Sequence, residues 1–353
     1  MKKDSDNIEK VGKLADPKLN NQPLDISSFN ADDIESFYKR MVLIRKSEEQ
    51  LAKYRENGVI GGPVHLGGGQ EAIAVGVSFS LKKTDRIFGT HRSHSHLLAV
   101  NPDPYRLFAE VLGKDTGFSK GMGGSMHLWD KPNGFYGAVP IVGGTIPLAV
   151  GAGLSAKMTN TKDIGLAYLG DGAAEEGIFH ESLNLARVQK IPVLFVVENN
   201  FFSSHMHISE RQPTDLISRF AKANDITSKL VDGNDVCEVA NAAEYLINYS
   251  RNGNGPVLLE AITYRSYGHV DWRQDIDVGV NRSMEDLEDW NKRDPISRLK
   301  ASMLDSDFWS EEQDQFLMEE MDKLINQSWQ QAESDEYPVS SSTNDYVFYS
   351  SKK

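Results

Sequence analysis

The sequence predicts an α/β fold in which helices flank a mostly parallel sheet. Three short apolar runs, at residues 164–169, 191–197 and 257–262, lack the polar alternation of half-exposed strands. Such runs are typical of parallel strands that are covered on both faces, and amphipathic stretches separate them as crossover helices would. The 353 residues, of which 39% are hydrophobic and 25% charged, suffice for one large core with appendages.

The composition excludes several classes of protein. No stretch reaches the length of a transmembrane helix, and the N-terminus contains no apolar signal-peptide core. Cys237 is the only cysteine, so an internal disulfide is impossible and a cytoplasmic protein is expected. The net charge of −13 argues against a broad nucleic-acid interface, but it permits a basic protein partner.

The N-terminal part of the chain combines an arm with an amphipathic helix. Residues 1–30 are polar and contain prolines, which predicts a flexible or draped arm. Residues 31–57 carry an apolar stripe at helical spacing and end before Gly58, so they predict a long helix. The stripe consists of Ile34, Phe37, Met41 and Ile44.

A glycine-rich segment at residues 65–72, HLGGGQEA, runs into a helix of small residues. A glycine run before a helix indicates phosphate binding, because backbone N–H groups point at the ligand there, but the signal is weak on its own. His65 opens the segment. From the residues alone, it is either a packed histidine or a catalytic one.

A strand at residues 86–90 leads into a segment with three histidines, His91, His94 and His96. A zinc site is rejected, because no cysteine is near and a helix or strand would aim the three imidazoles in different directions. Arg92 is instead the expected binding residue. A guanidinium at the mouth of the sheet can hold a diphosphate through paired hydrogen bonds. The roles of His94 and His96 stay open.

The strongest chemical signal lies between residues 164 and 202. The first apolar run ends in Gly170-Asp171-Gly172, and the second ends shortly before Asn200. One βαβ unit therefore delivers Asp171 and Asn200 to the same edge of the sheet, where open α/β sheets bind ligands. A carboxylate and an amide oxygen, joined by a loop carbonyl, suit a Mg²⁺ ion that keeps its other positions for phosphate oxygens and water. These residues predict a magnesium diphosphate site.

Two further glycine-rich segments end in a histidine. Residues 121–127, GMGGSMH, predict a loop held close to another backbone, so His127 is only a candidate for a position near the site. The last apolar run leads into TYRSYGH, which ends at His269. An imidazole of near-neutral pKa can donate to a diphosphate and handle protons there, and packing at the strand end is the alternative.

The C-terminal part of the chain is helical and charged from residue 284 onwards, and its last long helix is predicted at residues 308–332. A serine-rich tail follows, which predicts either disorder or a strand that docks on a partner. The tail contains Tyr346, Val347, Phe348 and Tyr349. The predicted divisions of the chain are an arm at 1–30, an α/β domain at 31–305, a helix at 306–333 and a tail at 334–353.

Five motifs in this order resemble the α subunit of 2-oxo acid dehydrogenase E1 components. They are HLGGGQEA at 65–72, HRSH at 91–94, GMGGSMH at 121–127, GDG followed by NN between 170 and 200, and TYRSYGH at 263–269. The resemblance covers about residues 32–305. It implies the thiamine diphosphate-binding fold, with thiamine diphosphate and Mg²⁺ as cofactors.

The resemblance also implies a role for each matched residue. His65 and His269 would be catalytic. The side chains of Asp171 and Asn200 and the backbone carbonyl of Phe202 would ligate Mg²⁺. The residues that would bind the cofactor are His91, Arg92, Ile141, Val142, Gly170, Asp171, Gly172, Ala173, Asn200, Phe202 and His269.

In this family the reaction is the oxidative decarboxylation of a 2-oxo acid, with acyl transfer to a lipoyl group of an E2 acyltransferase. The glutamate that activates the pyrimidine ring belongs to a separate β subunit, so the resemblance implies an α₂β₂ assembly. An acetoin dehydrogenase α subunit is the nearest alternative, and a non-catalytic α/β assembly subunit is one of another class. A Rossmann enzyme is disfavoured, because no G-x-G-x-x-G turn precedes an acidic residue at the required distance.

The chain departs from the family pattern at two places. Val139-Pro140 stands where the family usually has Asn-Gly, next to the segment expected to contact the aminopyrimidine ring. Val270-Asp271 follows His269, where mitochondrial relatives carry a regulatory serine, so that phosphorylation switch is expected to be absent. Residues 271–282 are expected to become ordered around the cofactor and the substrate.

Overall fold

A computed structural model describes residues 9–276, 279–342 and 344–345. Within these ranges, a six-stranded parallel sheet carries helices on both faces, so the predicted fold class is confirmed. The order of strands in the sheet is β2-β1-β3-β4-β8-β7, and β5 and β6 form a separate antiparallel hairpin. The strands are β1 (Arg86–Gly89), β2 (Phe135–Ala138), β3 (Gly165–Gly170), β4 (Val193–Asn199), β5 (Phe202–Ser203), β6 (Met206–His207), β7 (Thr227–Asp232) and β8 (Val257–Ile262).

Polar residues cap several of the described helices and fix where they begin. Asn30 accepts a hydrogen bond from the backbone of Asp33 at the start of α1, and Asp235 caps α8 in the same way. The helices are α1 (Ala31–Glu56), α2 (Glu71–Ser78), α3 (His94–Val100), α4 (Pro104–Val111), α5 (Ile146–Met158), α6 (Gly177–Val188), α7 (Arg219–Ala223), α8 (Val236–Tyr249), α9 (Met284–Asn291), α10 (Pro295–Leu304) and α11 (Glu311–Ser334).

The central strands of the sheet separate two apolar clusters. Leu194 and Val196 of β4 pack into a cluster with α1, α2 and α8, whereas Phe195 and Val197 face a second cluster with α5 and α6. Every residue of β4 and of β8 is buried. This two-sided burial is why these strands are apolar without alternation.

The register of the sheet brings four strand ends to one edge. β3 and β4 pair in parallel from Gly165 opposite Val193 to Gly170 opposite Glu198, so both strands end at the same level. β1 and β8 run in the same direction on either side of this pair. The segments that follow these four strands therefore meet at the carboxyl edge, as the sequence predicts for a binding site.

Both ends of the described chain are held by the domain. In the arm, the backbone N–H of Val11 donates to Asp215 at 3.0 Å, and Arg293 donates to the carbonyl of Leu14 at 2.9 Å. In the tail, Asp335 accepts a hydrogen bond from Tyr105 at 2.6 Å. Residues 346–349 of the tail, for which disorder or a docking strand is predicted, lie outside the described residues. Among the residues described, no helix has both the length and the apolar character needed to cross a membrane.

Candidate active site

A cavity of about 200 Å³ lies at the carboxyl edge of the sheet. Its walls come from the segments that follow β1, β3, β4 and β8 and from the segment that precedes α5. All eleven residues predicted to bind the cofactor line this one cavity. His65 is not among the lining residues, but its ring centroid is 4.7 Å from that of His91 and 5.2 Å from that of His269.

The three residues predicted to ligate a metal, Asp171, Asn200 and Phe202, all line this cavity. Asp171 is buried, and its Oδ2 forms an ion pair with Arg211. Its other oxygen, Oδ1, is buried and has no hydrogen-bond partner. The amide oxygen of Asn200 accepts from the backbone N–H of Phe202 at 3.2 Å, and its Nδ2 donates to Gln70 at 3.2 Å. An orphaned carboxylate oxygen and an amide oxygen from two residues that line one cavity fit a hard cation such as Mg²⁺.

The turn that carries Asp171 is packed against the β5–β6 hairpin. A Cβ atom at Gly172 would lie 2.3 Å from the side-chain oxygen of Ser203, which is closer than any real contact. Only glycine therefore allows the turn and the hairpin to approach this closely. Because Phe202 begins this hairpin, the close approach also brings its strand next to the turn that carries Asp171.

Two buried guanidinium groups give the cavity a positive wall. Arg92 donates to the carbonyls of Leu66 at 2.5 Å and His269 at 3.0 Å, and Arg265 donates to that of Gly268 at 2.5 Å. Burial lowers the pKa of Arg92 to about 10. Burial and the charge of Arg92 lower the pKa of Arg265 well below its ordinary value. A bound diphosphate would offset this concentrated positive charge.

Arg265 is a candidate that the sequence analysis missed, although it stands in the TYRSYGH motif. The signal that could have identified it is its position: it follows a buried strand at the same edge as Arg92. His269 in the same motif is the residue that its near-neutral ordinary pKa marks for proton transfer, whereas an arginine carries no such signal. The structure shows that both residues line the cavity.

Three histidines from three separate segments converge at the cavity. One ring nitrogen from each of His65, His91 and His269 lies within 4.8 Å of the others. Burial and the charge of Arg92 lower the pKa of His65 to about 4, that of His91 to about 2 and that of His269 to about 3. All three are therefore neutral at pH 7. The pKa of His269 is lower than the near-neutral value expected, because burial and then the neighbouring cations oppose its protonation. A bound diphosphate would act in the opposite direction.

His94 and His96, whose roles the sequence left open, lie in α3 and are held by contacts with buried side chains. Both ring nitrogens of His94 are engaged, by Glu48 at 3.2 Å and by Ser125 at 2.8 Å. His96 contacts Glu198 at 3.0 Å and its ring stacks on Tyr168 with centroids 3.6 Å apart. Among the described residues, the histidines that come close to His91 in a possible ligand group are His65 and His269, not His94 or His96.

His127 lies away from this cavity, in a separate groove on the glycine-rich loop. The cause is the carboxylate of Glu110, which is buried and accepts hydrogen bonds from the backbone. The four donors, at 2.6 to 3.1 Å, are Ser119, Gly121, Gly123 and Gly124. These bonds fold the loop onto α4 rather than over the site. The contacts with Glu110 agree with the expectation of a loop held close to another backbone.

The described part of the segment after His269 is already ordered by contacts within the chain. The carboxylate of Asp275 accepts from the backbone N–H of His269 at 2.6 Å and contacts His205 at 3.1 Å. A Cβ atom at Gly268 would lie 2.2 Å from this carboxylate, so the contact requires glycine. Asp271 is fixed by an ion pair with Arg55 at 2.8 Å. Residues 277 and 278, within the segment expected to order around ligands, lie outside the described residues.

Comparison with known proteins agrees with this arrangement. A model of the family "Dehydrogenase E1 component" matches residues 38–341. The chain is 38% identical over 318 residues to the α subunit of acetoin:2,6-dichlorophenolindophenol oxidoreductase from Bacillus subtilis (strain 168), covering 88% of this chain and 93% of the relative.

Pyruvate dehydrogenase E1 component α subunits are similar to the chain over a comparable length. The protein from Rhizobium meliloti (strain 1021) is 35% identical over 314 residues, which cover 89% of each chain. The mitochondrial protein from Dictyostelium discoideum is 35% identical over 317 residues, with 88% of this chain and 82% of the relative covered. The chain therefore belongs to the dehydrogenase E1 component family, as an oxidoreductase chain of the E1 α type.

Proposed function

We propose that this chain is the α subunit of an α₂β₂ E1 component. It would catalyse the thiamine diphosphate- and Mg²⁺-dependent oxidative decarboxylation of a 2-oxo acid and pass the acyl group to a lipoyl group on E2. The observation that carries the proposal is the orphaned Oδ1 of Asp171, a residue that lines the same cavity as Asn200 and two buried arginines. A magnesium diphosphate satisfies both the orphaned oxygen and the positive wall.

The chain's own residues would bind and orient the cofactor. Thiamine diphosphate, when bound, supplies the nucleophilic carbon and the electron sink for decarboxylation. Asp171, Asn200 and the carbonyl of Phe202 would hold the Mg²⁺ ion, and Arg92 would hold the diphosphate. His269, a neutral imidazole, can donate its N–H to an anionic group, such as the diphosphate or the thiolate that would be released when a lipoyl disulfide is opened.

Two features of the cavity favour a β subunit that completes the site. Asp171 and Glu198 are the acidic residues among the described lining residues, and they are engaged by Arg211 and His96 respectively. Neither is available to activate a pyrimidine ring. At the rim, the residues Ile141 and Val142 are 72% and 50% exposed, which suits a surface that another chain covers.

The purified α chain alone is therefore expected to lack decarboxylase activity. Adding the β subunit should restore turnover, because the missing carboxylate and the cover of the apolar rim would come from that chain. The measurement is reduction of an artificial dye with a 2-oxo acid, with and without β subunit, at saturating thiamine diphosphate and Mg²⁺. Appreciable turnover by the α chain alone would contradict the shared active site.

Replacing Arg92 by Gln is expected to weaken thiamine diphosphate binding roughly 10- to 100-fold, the range of one hydrogen bond to a charged group. A fixed charge on the diphosphate acts alike before and during the reaction, so kcat at saturating cofactor should change much less. Fluorescence titration of the α₂β₂ protein with thiamine diphosphate measures the dissociation constant.

Arg40→Gln is the matched control for this substitution. Arg40 also donates to two backbone carbonyls, those of Leu98 and Ala99, but it lies outside the cavity. The Arg40→Gln protein should bind thiamine diphosphate with the affinity of the wild type. An Arg92→Gln enzyme with unchanged cofactor affinity and a lower kcat would assign Arg92 to the chemical step instead.

Acetoin is a second candidate substrate, favoured by the 38% identity to an acetoin oxidoreductase α subunit over most of both chains. Dye reduction by the α₂β₂ protein with pyruvate, branched 2-oxo acids and acetoin separates the two functions. Preference for acetoin would replace the 2-oxo acid in the proposal. If the chain were a non-catalytic assembly subunit, the protein would show no Mg²⁺-dependent binding of thiamine diphosphate, even in the presence of the β subunit.

A further inference from the structure

Arg211 is an arginine with a buried side chain that lies outside the five motifs. It forms an ion pair with Asp171, one of the predicted metal ligands. Only 6% of the Arg211 side chain is exposed. Its guanidinium forms ion pairs with Asp171 and with Glu175, and its Nε donates to the carbonyl of Met206 at 3.1 Å. Gln212 holds the same oxygen of Glu175 at 3.0 Å. One planar group thus joins the turn after β3, the start of the α6 region and the β5–β6 hairpin.

These contacts bear on two of the three predicted metal ligands. Arg211 occupies Oδ2 of Asp171, which leaves Oδ1 as the oxygen without a partner. Met206 lies in β6, which pairs with β5, the strand that begins at Phe202. The guanidinium therefore fixes the orientation of the carboxylate and the position of the hairpin relative to it.

We propose that Arg211 is the positioning residue of the metal site, a role that rests on the proposed function. It would direct Oδ1 of Asp171 towards the cation. It would also hold the β5–β6 hairpin so that the carbonyl of Phe202 can ligate the same cation. The planar guanidinium suits this role because it donates in several fixed directions, whereas an ammonium is a point charge on a flexible stem. Glu175 offsets the positive charge that Arg211 would otherwise place next to the cation.

The test uses Arg211→Lys in the α chain assembled with its β subunit and thiamine diphosphate. Binding of Mn²⁺, a spectroscopic substitute for Mg²⁺, is measured from the electron paramagnetic resonance signal of the free ion. We expect Mn²⁺ to bind roughly 10- to 100-fold more weakly, the usual result of removing a group that orients a metal ligand. Turnover at saturating metal should recover to the wild-type kcat, because Arg211 does not touch the reacting atoms.

Arg187→Lys is the matched control, since Arg187 also forms an ion pair with an aspartate, Asp225, but on the surface. It should bind Mn²⁺ like the wild type. Glu175→Gln serves as the second variant in case Arg211→Lys does not fold, because it keeps both Arg211 and Asp171 while loosening the guanidinium. We expect it to weaken Mn²⁺ binding by a smaller factor in the same direction.

The outcomes separate this inference from the proposed function. Asp171→Ala in the same assay should lose Mn²⁺ binding; if it binds Mn²⁺ normally, the predicted metal site itself is wrong. If Asp171→Ala loses the metal while the folded Arg211→Lys protein binds Mn²⁺ as well as the wild type, or more tightly, the positioning role is overturned and the site stands. If Arg211→Lys does not fold, Glu175→Gln decides instead: unchanged Mn²⁺ affinity in that variant would overturn the positioning role of Arg211.

Discussion

Asp171→Ala is expected to abolish Mg²⁺-dependent binding of thiamine diphosphate. The substitution removes the anionic member of the predicted ligand set. In the wild type, Oδ1 of Asp171 is a buried oxygen that lacks a hydrogen-bond partner. Mg²⁺ demands near-ideal octahedral oxygen coordination and tolerates few substitutes. The loss should exceed the roughly 10- to 100-fold that removing an outer partner of a metal ligand costs. Calorimetric titration of the α₂β₂ protein with cofactor, at several Mg²⁺ concentrations, measures it.

Phe202→Tyr is the control for the metal assignment. Phe202 would contribute its backbone carbonyl, so a change of its side chain should leave cofactor binding nearly intact. Its ring packs edge-on against His207 and Tyr264, with centroids 5.1 Å and 5.9 Å away. Equal loss of binding in Asp171→Ala and Phe202→Tyr would show that the region tolerates no change, and the assignment of ligands would be withdrawn.

His269→Ala is expected to lower kcat of the lipoyl-linked reaction by roughly 10²-fold or more, the scale for losing a general acid or base. Reduction of an artificial dye should fall less, because it bypasses acyl transfer. The backbone of His269 is held independently of its ring, by Asp275 at its N–H and by Arg92 at its carbonyl. Truncation of the ring should therefore leave the segment in place. Paired assays with a lipoyl domain and with dye, at saturating cofactor, give the ratio.

His205→Gln is the matched control, because its ring centroid lies 5.9 Å from that of His269 and its side chain contacts the same Asp275. It is half-exposed at the rim and should keep the lipoyl-linked rate. If His269→Ala regains the full lipoyl-linked rate when more cofactor is added, the imidazole is only a binding contact. Its catalytic role would then have to be given up.

The central strands could be predicted from sequence because burial on both faces removes polar residues from them. The apolar runs correspond to β3, β4 and β8 within one or two residues. The edge strand β7 (Thr227–Asp232) was missed, since Thr, Ser and Lys in its first half are only partly buried or exposed. The β5–β6 hairpin could not be predicted, because each of its strands has only two residues and therefore shows no periodicity.

The edge of the sheet on which the site lies could likewise be predicted, because parallel strands end together. What could not be predicted is convergence across distant segments. His65 precedes α2, yet its ring meets those of His91 and His269. Arg211 follows the β5–β6 hairpin in the chain, yet its guanidinium forms an ion pair with Asp171. Such contacts depend on how the helices and loops pack on the sheet, and no local pattern records that packing.

The most direct test of the central claim is the metal dependence of cofactor binding by the wild-type α₂β₂ protein. Thiamine diphosphate is titrated calorimetrically into protein stripped of metal by EDTA, before and after Mg²⁺ is restored. The account predicts one cofactor bound per α chain with Mg²⁺ and loss of measurable binding without it. Equal binding with and without metal, or none in the presence of Mg²⁺ and the β subunit, would contradict a magnesium diphosphate site at Asp171 and Asn200.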